Sequence, residues 1–195
     1  VHAGRISDAE ASARSTPIYQ TAGYQFDSFE DGVERFAGRS TRRAYSRNDN
    51  PTNVVAARRL ADLEGGTDAV LVASGQAAIA AALFAVASAG DHILTTKKLY
   101  EGTREMFRGA LVRQGLSFEA IYESASVDEW LARVRPNTKA IYTESIPNPL
   151  GEVVDLEKLA EVADRAGIPL LVDNTVATPY LQRPFEFGAH IVIHS

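Results

Sequence analysis

The stretch HILTTKKLYEGTREMFRGALVRQGLSFEAIY, His92–Tyr122, sets two short apolar runs on either side of a segment with helical period. HILTT and SFEAIY read as strands and TREMFRGALVRQ as an amphipathic helix. Two strands joined through a helix need a crossover, so they lie parallel, and a parallel sheet buries both faces beneath helices. The same rhythm continues on both sides of this stretch. DAVLVA, KAIYTE, IPLLVD and HIVI read as further strands, and GQAAIAAALFAVAS, VDEWLARV, LEKLAEVADRAG and LQRPFEFG as helices. The expected fold is α/β, a mostly parallel sheet with helices on both faces.

Toward the N-terminus the rhythm fades. SFEDGVERFAG reads as a short helix with Asp27 or Ser28 as its N-cap and Gly38 as its stop. RSTRRAYSRNDNPTN reads as a turn-rich loop, and Val1 to about Tyr24 as an extended arm. Residues 1–50 are therefore expected to form arm, helix and loop, and residues 51–195 the main domain.

Composition narrows the function. The 20 basic and 25 acidic side chains leave a net charge of −5 with no block of either sign, which argues against a nucleic-acid grip. The pairs Arg42-Arg43 and Lys97-Lys98 read as solvated surface. The absence of cysteine excludes disulfide scaffolds, thiolate zinc sites and a cysteine nucleophile, and the cytoplasm fits best. AAIAAALFAVASAG is shorter than the roughly 20 residues that cross a bilayer, so no membrane partner is expected. A chain that opens on Val1 rather than methionine reads as lacking its first residues.

Ligands of parallel sheets bind beyond the C-terminal strand ends, so the residues there are the candidates. Ser74-Gly75-Gln76 follows DAVLVA and opens a helix, which makes either an anion site or a plain turn. Asp173-Asn174-Thr175 follows IPLLV. Burying that carboxylate requires a partner, either a cap or arginine pair, or a cationic ligand atom or metal. Glu144 and Asn148 lie in a proline turn after KAIYT, and Tyr100 stands just before a helix. Tyr45 and Arg47, two apart, would share a side if extended, which suits a phosphate or merely a surface loop.

Together YSRNDNPT, ASGQAAI, LYEGT, ESIPNP, LLVDNT and IVIHS resemble, in order and spacing, the Cys/Met-metabolism family of pyridoxal-phosphate enzymes. The resemblance runs through the whole chain. It implies an aminotransferase-like (fold type I) domain, in which a Ser-x-Thr-Lys run follows the strand equivalent to IVIHS and its lysine holds the cofactor. Ser195 would be the serine of that run. The chain stops three positions before the expected lysine, and the family's C-terminal domain, with its arginine for the substrate carboxylate, is absent.

By this resemblance Gly75, Gln76 and Ser195 hold the phosphate of pyridoxal phosphate, and Tyr45 and Arg47 reach it from a neighbouring subunit. Asp173 pairs with the pyridine nitrogen, Tyr100 stacks on the ring and aids proton transfer, Asn148 bonds the ring oxygen, and Thr175 supports them. The shared site implies an obligate dimer, and the family suggests a homotetramer. No metal is implied. TPIYQTAGY, SGQAAI and VDNTVATPYLQRP are most like members that convert O-acetyl-L-homoserine and sulfide to homocysteine and acetate.

Two positions depart from the pattern. Glu101 stands where glycine is common after the tyrosine, adding negative charge near the site mouth, and Pro147 precedes Asn148 where a small residue is frequent. Cystathionine synthesis, use of O-succinylhomoserine and γ-elimination are the alternatives within the family. A nucleotide-binding dehydrogenase would need Gly-x-Gly-x-x-Gly, which ASGQAAIA lacks. A catalytically empty fragment or scaffold is the remaining class.

Overall fold

The computed structural model describes residues 12–195. The arm read over Val1–Tyr24 lies outside the described residues up to position 11, and from 12 to 24 its one regular feature is an antiparallel bridge from Gly23 to Tyr45. The chain divides into two compact units, Val1–Leu71 and Val72–Ser195.

The first unit carries α1 (Phe29–Phe36) and α2 (Pro51–Glu64). Ser28 caps α1 by accepting the Asp31 amide at 3.1 Å. The helix ends before Gly38, whose φ of +70° suits glycine. Arg35 is buried between the Asp31 carboxylate and the Arg43 carbonyl. The sequence reading passed over α2, although its signals are present. Asn50 caps it through the Thr52 amide, Pro51 occupies its first turn, and Gly65 closes it in a left-handed conformation.

The second unit is built on five strands, β1 (His92–Thr96), β2 (Ser117–Ile121), β3 (Thr138–Glu144), β4 (Leu170–Asp173) and β5 (Ile191–Ile193). They pair in parallel in the order β2-β1-β3-β4-β5. Helices α3 (Gly75–Val86), α4 (Glu101–Arg108), α5 (Ala110–Arg113), α6 (Val127–Leu131), α7 (Leu156–Ala166) and α8 (Thr178–Leu181) accompany them.

Strand residues alternate between two cores, as the period of two requires. Ile93, Ala140, Tyr142 and Leu171 pack with Ile79 and Leu83 of α3, Phe107 of α4 and Leu111 of α5. Leu94, Ile141, Leu170 and Val172 pack with Trp130 of α6 and with Leu159 and Val162 of α7. Helices thus cover both faces, as expected.

Three expectations are corrected. DAVLVA joins no ladder: none of the sheet's hydrogen-bonded pairings includes it, and Val70, Leu71 and Val72 are exposed. LQRPFEFG is not one helix. Its first residue ends α8, and Pro184, which lacks an N–H, starts a separate 3-10 turn over Pro184–Phe187. The helix read over TREMFRGALVRQ begins at Glu101 and breaks at Gly109, whose backbone leaves the helical region (φ −114°, ψ −87°).

Candidate active site

The connection after β1 runs to β2 on one side, whereas β3, β4 and β5 extend the sheet on the other. The strand order therefore switches between β1 and β3, where parallel sheets open a crevice at their C-terminal ends. A cavity of about 270 Å³ lies at that end. It is lined by Gly75 and Gln76 of α3, by Tyr100, Glu144, Asn148, Asp173 and Thr175 after or at strand ends, and by Ser195.

Each residue is placed by local structure. Ser74 caps α3 through the Ala77 amide at 3.1 Å, which leaves the Gly75 and Gln76 N–H groups in a first turn with no preceding carbonyl to meet. A side chain on Gly75 would put its Cβ 2.6 Å from Ser195 Cβ, so glycine is what lets the chain beyond β5 pass against the helix end. Gln76 Nε2 donates to Thr103 Oγ1 at 3.2 Å and ties α3 to α4.

Asp173 ends β4, and the Thr175 amide donates to its Oδ1 at 3.0 Å. The Thr175 hydroxyl oxygen in turn accepts the Ser195 amide at 2.8 Å. Thr175 is thereby the link that fixes the carboxylate to the serine, a more central place than the sequence indicated. Between them Asn174 is fully buried. Its Oδ1 accepts the Ser145 hydroxyl at 2.8 Å, its Nδ2 donates to the Gln182 carbonyl at 2.8 Å, and its amide donates to the Ile193 carbonyl at 2.8 Å. Asn174 thus clamps β4 to the turn after β3, to β5 and to the end of α8. Sequence reasoning missed this role, since a side chain bonding across strands leaves no local signal.

Tyr100 stands at the start of α4 with its amide donating to Glu144 Oε1 at 2.7 Å. The ring folds back over Gly102, where a Cβ would come within 2.7 Å of Tyr100 Cε1. Glu101 pairs with Arg104 on the exposed side, so its charge is answered locally and leaves Tyr100 on the cavity wall. Asn148 lines the same wall.

Glu144 ends β3 beside Asp173, its register partner. Burial raises its pKa to about 7, and the Asp173 charge adds to the rise against the opposing bonds from the Tyr100 and Asn148 amides. None of the lining residues is lysine, arginine or histidine. The cavity is therefore bipolar, with main-chain donors at the α3 end suited to an anion and the carboxyl groups of Asp173 and Glu144 suited to a cation.

Tyr45 and Arg47 belong to the first unit. They are not extended: the chain turns there, with the amides of Asn48 and Asp49 both reaching the Tyr45 carbonyl. The two side chains still meet, because the turn brings the Arg47 guanidinium to 5.5 Å from the Tyr45 ring centre. That unit also contains a hollow of about 640 Å³, lined by Arg43, Arg58, Asp49 and Asp62 among others, with both signs of charge interspersed. Arg42 pairs with Asp27 and Asp31, Arg43 with Asp49 and Lys98 with Glu152, while Lys97 lies over the Tyr122 ring, as surface basic residues do. Among the described residues no group of three or more His, Asp or Glu could hold a metal ion, and no helix is long and apolar enough to cross a membrane.

The fold matches that of solved pyridoxal-phosphate-dependent enzymes of the aminotransferase-like class. A family model described as "Cys/Met metabolism PLP-dependent enzyme" matches residues 1–195, and the chain belongs to that family, whose cofactor is pyridoxal phosphate. It is 45% identical over 195 residues to the O-acetyl-L-homoserine sulfhydrylase of Corynebacterium glutamicum, covering all of this chain and 45% of the relative. It is 42% identical to the homocysteine synthase of Schizosaccharomyces pombe, covering all of this chain and 46% of that one. An L-methionine gamma-lyase of Fusobacterium nucleatum is 39% identical, with all of this chain and 49% of the relative covered.

Among solved structures, a Campylobacter jejuni protein described as an O-acetylhomoserine (thiol)-lyase superposes with a TM-score of 0.94 at 36% identity, covering all of this chain and 48% of that one. It carries an N'-pyridoxyl-lysine-5'-monophosphate. The chain spans about half the length of the curated relatives it matches.

Proposed function

We propose that the full-length protein performs γ-replacement, converting O-acetyl-L-homoserine and sulfide to L-homocysteine and acetate, as a cytoplasmic enzyme. The observation that carries the reading is the bipolar cavity, whose ends match the anionic phosphate and the protonated ring nitrogen of pyridoxal phosphate. The 45% identity to a sulfhydrylase supports the choice of reaction within the family.

In this reading the Gly75 and Gln76 amides and the Ser195 hydroxyl bind the phosphate. Tyr45 and Arg47 add to it from a neighbouring subunit, where a guanidinium supplies the bidentate charge that the cavity wall lacks, so the working unit is a dimer and the assembly a homotetramer. Asp173 keeps the ring nitrogen protonated, Asn148 bonds the ring oxygen, and Tyr100 covers the ring face. Bound there, pyridoxal phosphate supplies an electron sink for negative charge developing at the substrate Cα. The Tyr100 hydroxyl holds and returns a proton, and a lysine C-terminal to Ser195 anchors the cofactor and serves as main base.

The test is the visible absorption of the full-length protein during addition of O-acetyl-L-homoserine, with and without sulfide, followed by an assay for homocysteine. Homocysteine appearing only with sulfide is the expected result. Cystathionine formed from added cysteine, or ammonia and a keto acid released without a sulfur nucleophile, would move the protein to another branch of the family. A protein that takes up no pyridoxal phosphate would overturn the reading.

A further inference from the structure

The proposed chemistry leaves one buried titratable side chain of the cavity without a role. Glu144 is 5% exposed, and its carboxyl bonds the main chain of two wall residues, Tyr100 and Asn148. A neutral acceptor would also satisfy these amides without the cost of a buried charge, so a carboxyl in this place, one strand spacing from a second carboxyl, calls for another reason. The titratable groups facing it are Asp173 on β4, Tyr142 two residues back on β3 and Tyr100 ahead of α4, and no cationic residue lines the cavity to offset their charge. Its raised pKa, about 7, means that both protonation states are populated near neutrality.

We propose that Glu144 is a positioning residue of the cofactor site, which anchors Tyr100 and Asn148 through their amides and ionises to place a second negative charge beside Asp173 when a protonated ring nitrogen arrives. The inference rests on the pyridoxal phosphate reading. A carboxylate accepts amide bonds more strongly than a neutral carboxyl. The proton released from Glu144 therefore tightens the hold on Tyr100 at the moment its ring gains something to cover. By linkage, a cation bound beside Glu144 lowers the carboxyl's pKa, and an ionised Glu144 strengthens binding of that cation.

The experiment is an absorbance titration of full-length apoprotein with pyridoxal phosphate at about pH 6 and about pH 8, on either side of the titration. At the lower pH wild type and Glu144→Gln both present a neutral side chain, so their dissociation constants should agree. At the higher pH the variant should bind about fivefold more weakly, since only the wild type then offers a charged acceptor. Equal ratios at both pH values, or a variant that binds more tightly at the higher pH, overturn the proposal, because a purely structural role would shift both alike.

Should the glutamine variant fail to fold, infrared difference spectra of the wild type decide. Cofactor addition near neutral pH should reduce the band of a protonated buried carboxyl, and an unchanged band overturns the proposal. A wild type that takes up no cofactor would instead remove the underlying reading, a separate and visible result.

Discussion

Gly75, at the first turn of α3, lies so close to Ser195 beyond β5 that a Cβ on the glycine would fall 2.6 Å from the serine Cβ and 2.8 Å from its Oγ. Real Cβ atoms do not approach so near, and Ser195 would have to move. Gly75→Ala is accordingly expected to weaken pyridoxal phosphate binding by about tenfold, since in the proposed site the hydroxyl and the helix end meet the same anion. The helix itself should not suffer, because alanine is the better helix former. Cofactor titration beside thermal unfolding of the apoprotein checks both halves. Unchanged affinity would remove Ser195 from the anion cradle.

Asp173 presents a carboxylate fixed by the Thr175 amide at 3.0 Å. Asp173→Ala removes the charge proposed to pair with the ring nitrogen and should slow turnover by at least about a hundredfold, far more than it disturbs the fold. Steady-state rates compared with urea unfolding test it, and a loss of stability that accounts for the lost activity would argue for a structural role.

Thr175 joins that carboxylate to the serine, its hydroxyl accepting the Ser195 amide at 2.8 Å. Thr175→Val keeps the shape and withdraws the acceptor, with an expected cost of about 1–2 kcal/mol and weaker cofactor binding, while Thr175→Ser should retain both. Denaturant unfolding of the two variants distinguishes the hydroxyl from the methyl group.

Asn174 makes three bonds of 2.8 Å to three separate segments from a fully buried position. Asn174→Ala leaves the Ser145 hydroxyl and the Gln182 carbonyl without this partner, and about 2–4 kcal/mol of stability should be lost. A melting temperature within a degree or so of wild type would show that water replaces the side chain at little cost.

The raised pKa of Glu144 has a consequence for stability. Between the ordinary value of 4.5 and about 7, the folded apoprotein keeps a proton that the unfolded chain has released, so rising pH favours unfolding. This carboxyl should remove up to about 3 kcal/mol of stability by pH 8, the upper bound set by its shift. Glu144→Gln lacks the proton, and its stability should decline less between pH 5 and 8. Unfolding free energies of the two proteins measured across that range should diverge, and parallel curves would contradict the assignment.

Much of this was legible in the residues. The alternation of short apolar runs with helical segments located all five paired strands, because each is a contiguous stretch whose burial imposes its own pattern. The habit of parallel sheets to bind ligands at their C-terminal ends singled out Gly75, Gln76, Tyr100, Asn148, Asp173 and Thr175, the family resemblance added Ser195, and these line one cavity. DAVLVA failed for the opposite reason. It carries a strand's composition, but a strand exists only through a partner, and none of the pairings includes it.

By itself the sequence determined the α/β class, the parallel sheet, the family resemblance and the residue types at the strand ends, all of which depend on local order along the chain. The tertiary structure alone decided that Thr175 joins Asp173 to Ser195, that Asn174 clamps three segments, and that Glu144 stands between Tyr100 and Asp173 with a raised pKa. The reason is physical: Thr175 and Ser195 lie 20 positions apart and Tyr100 and Glu144 lie 44 apart, and the burial that shifts a proton or forbids a Cβ arises only when such distant segments pack.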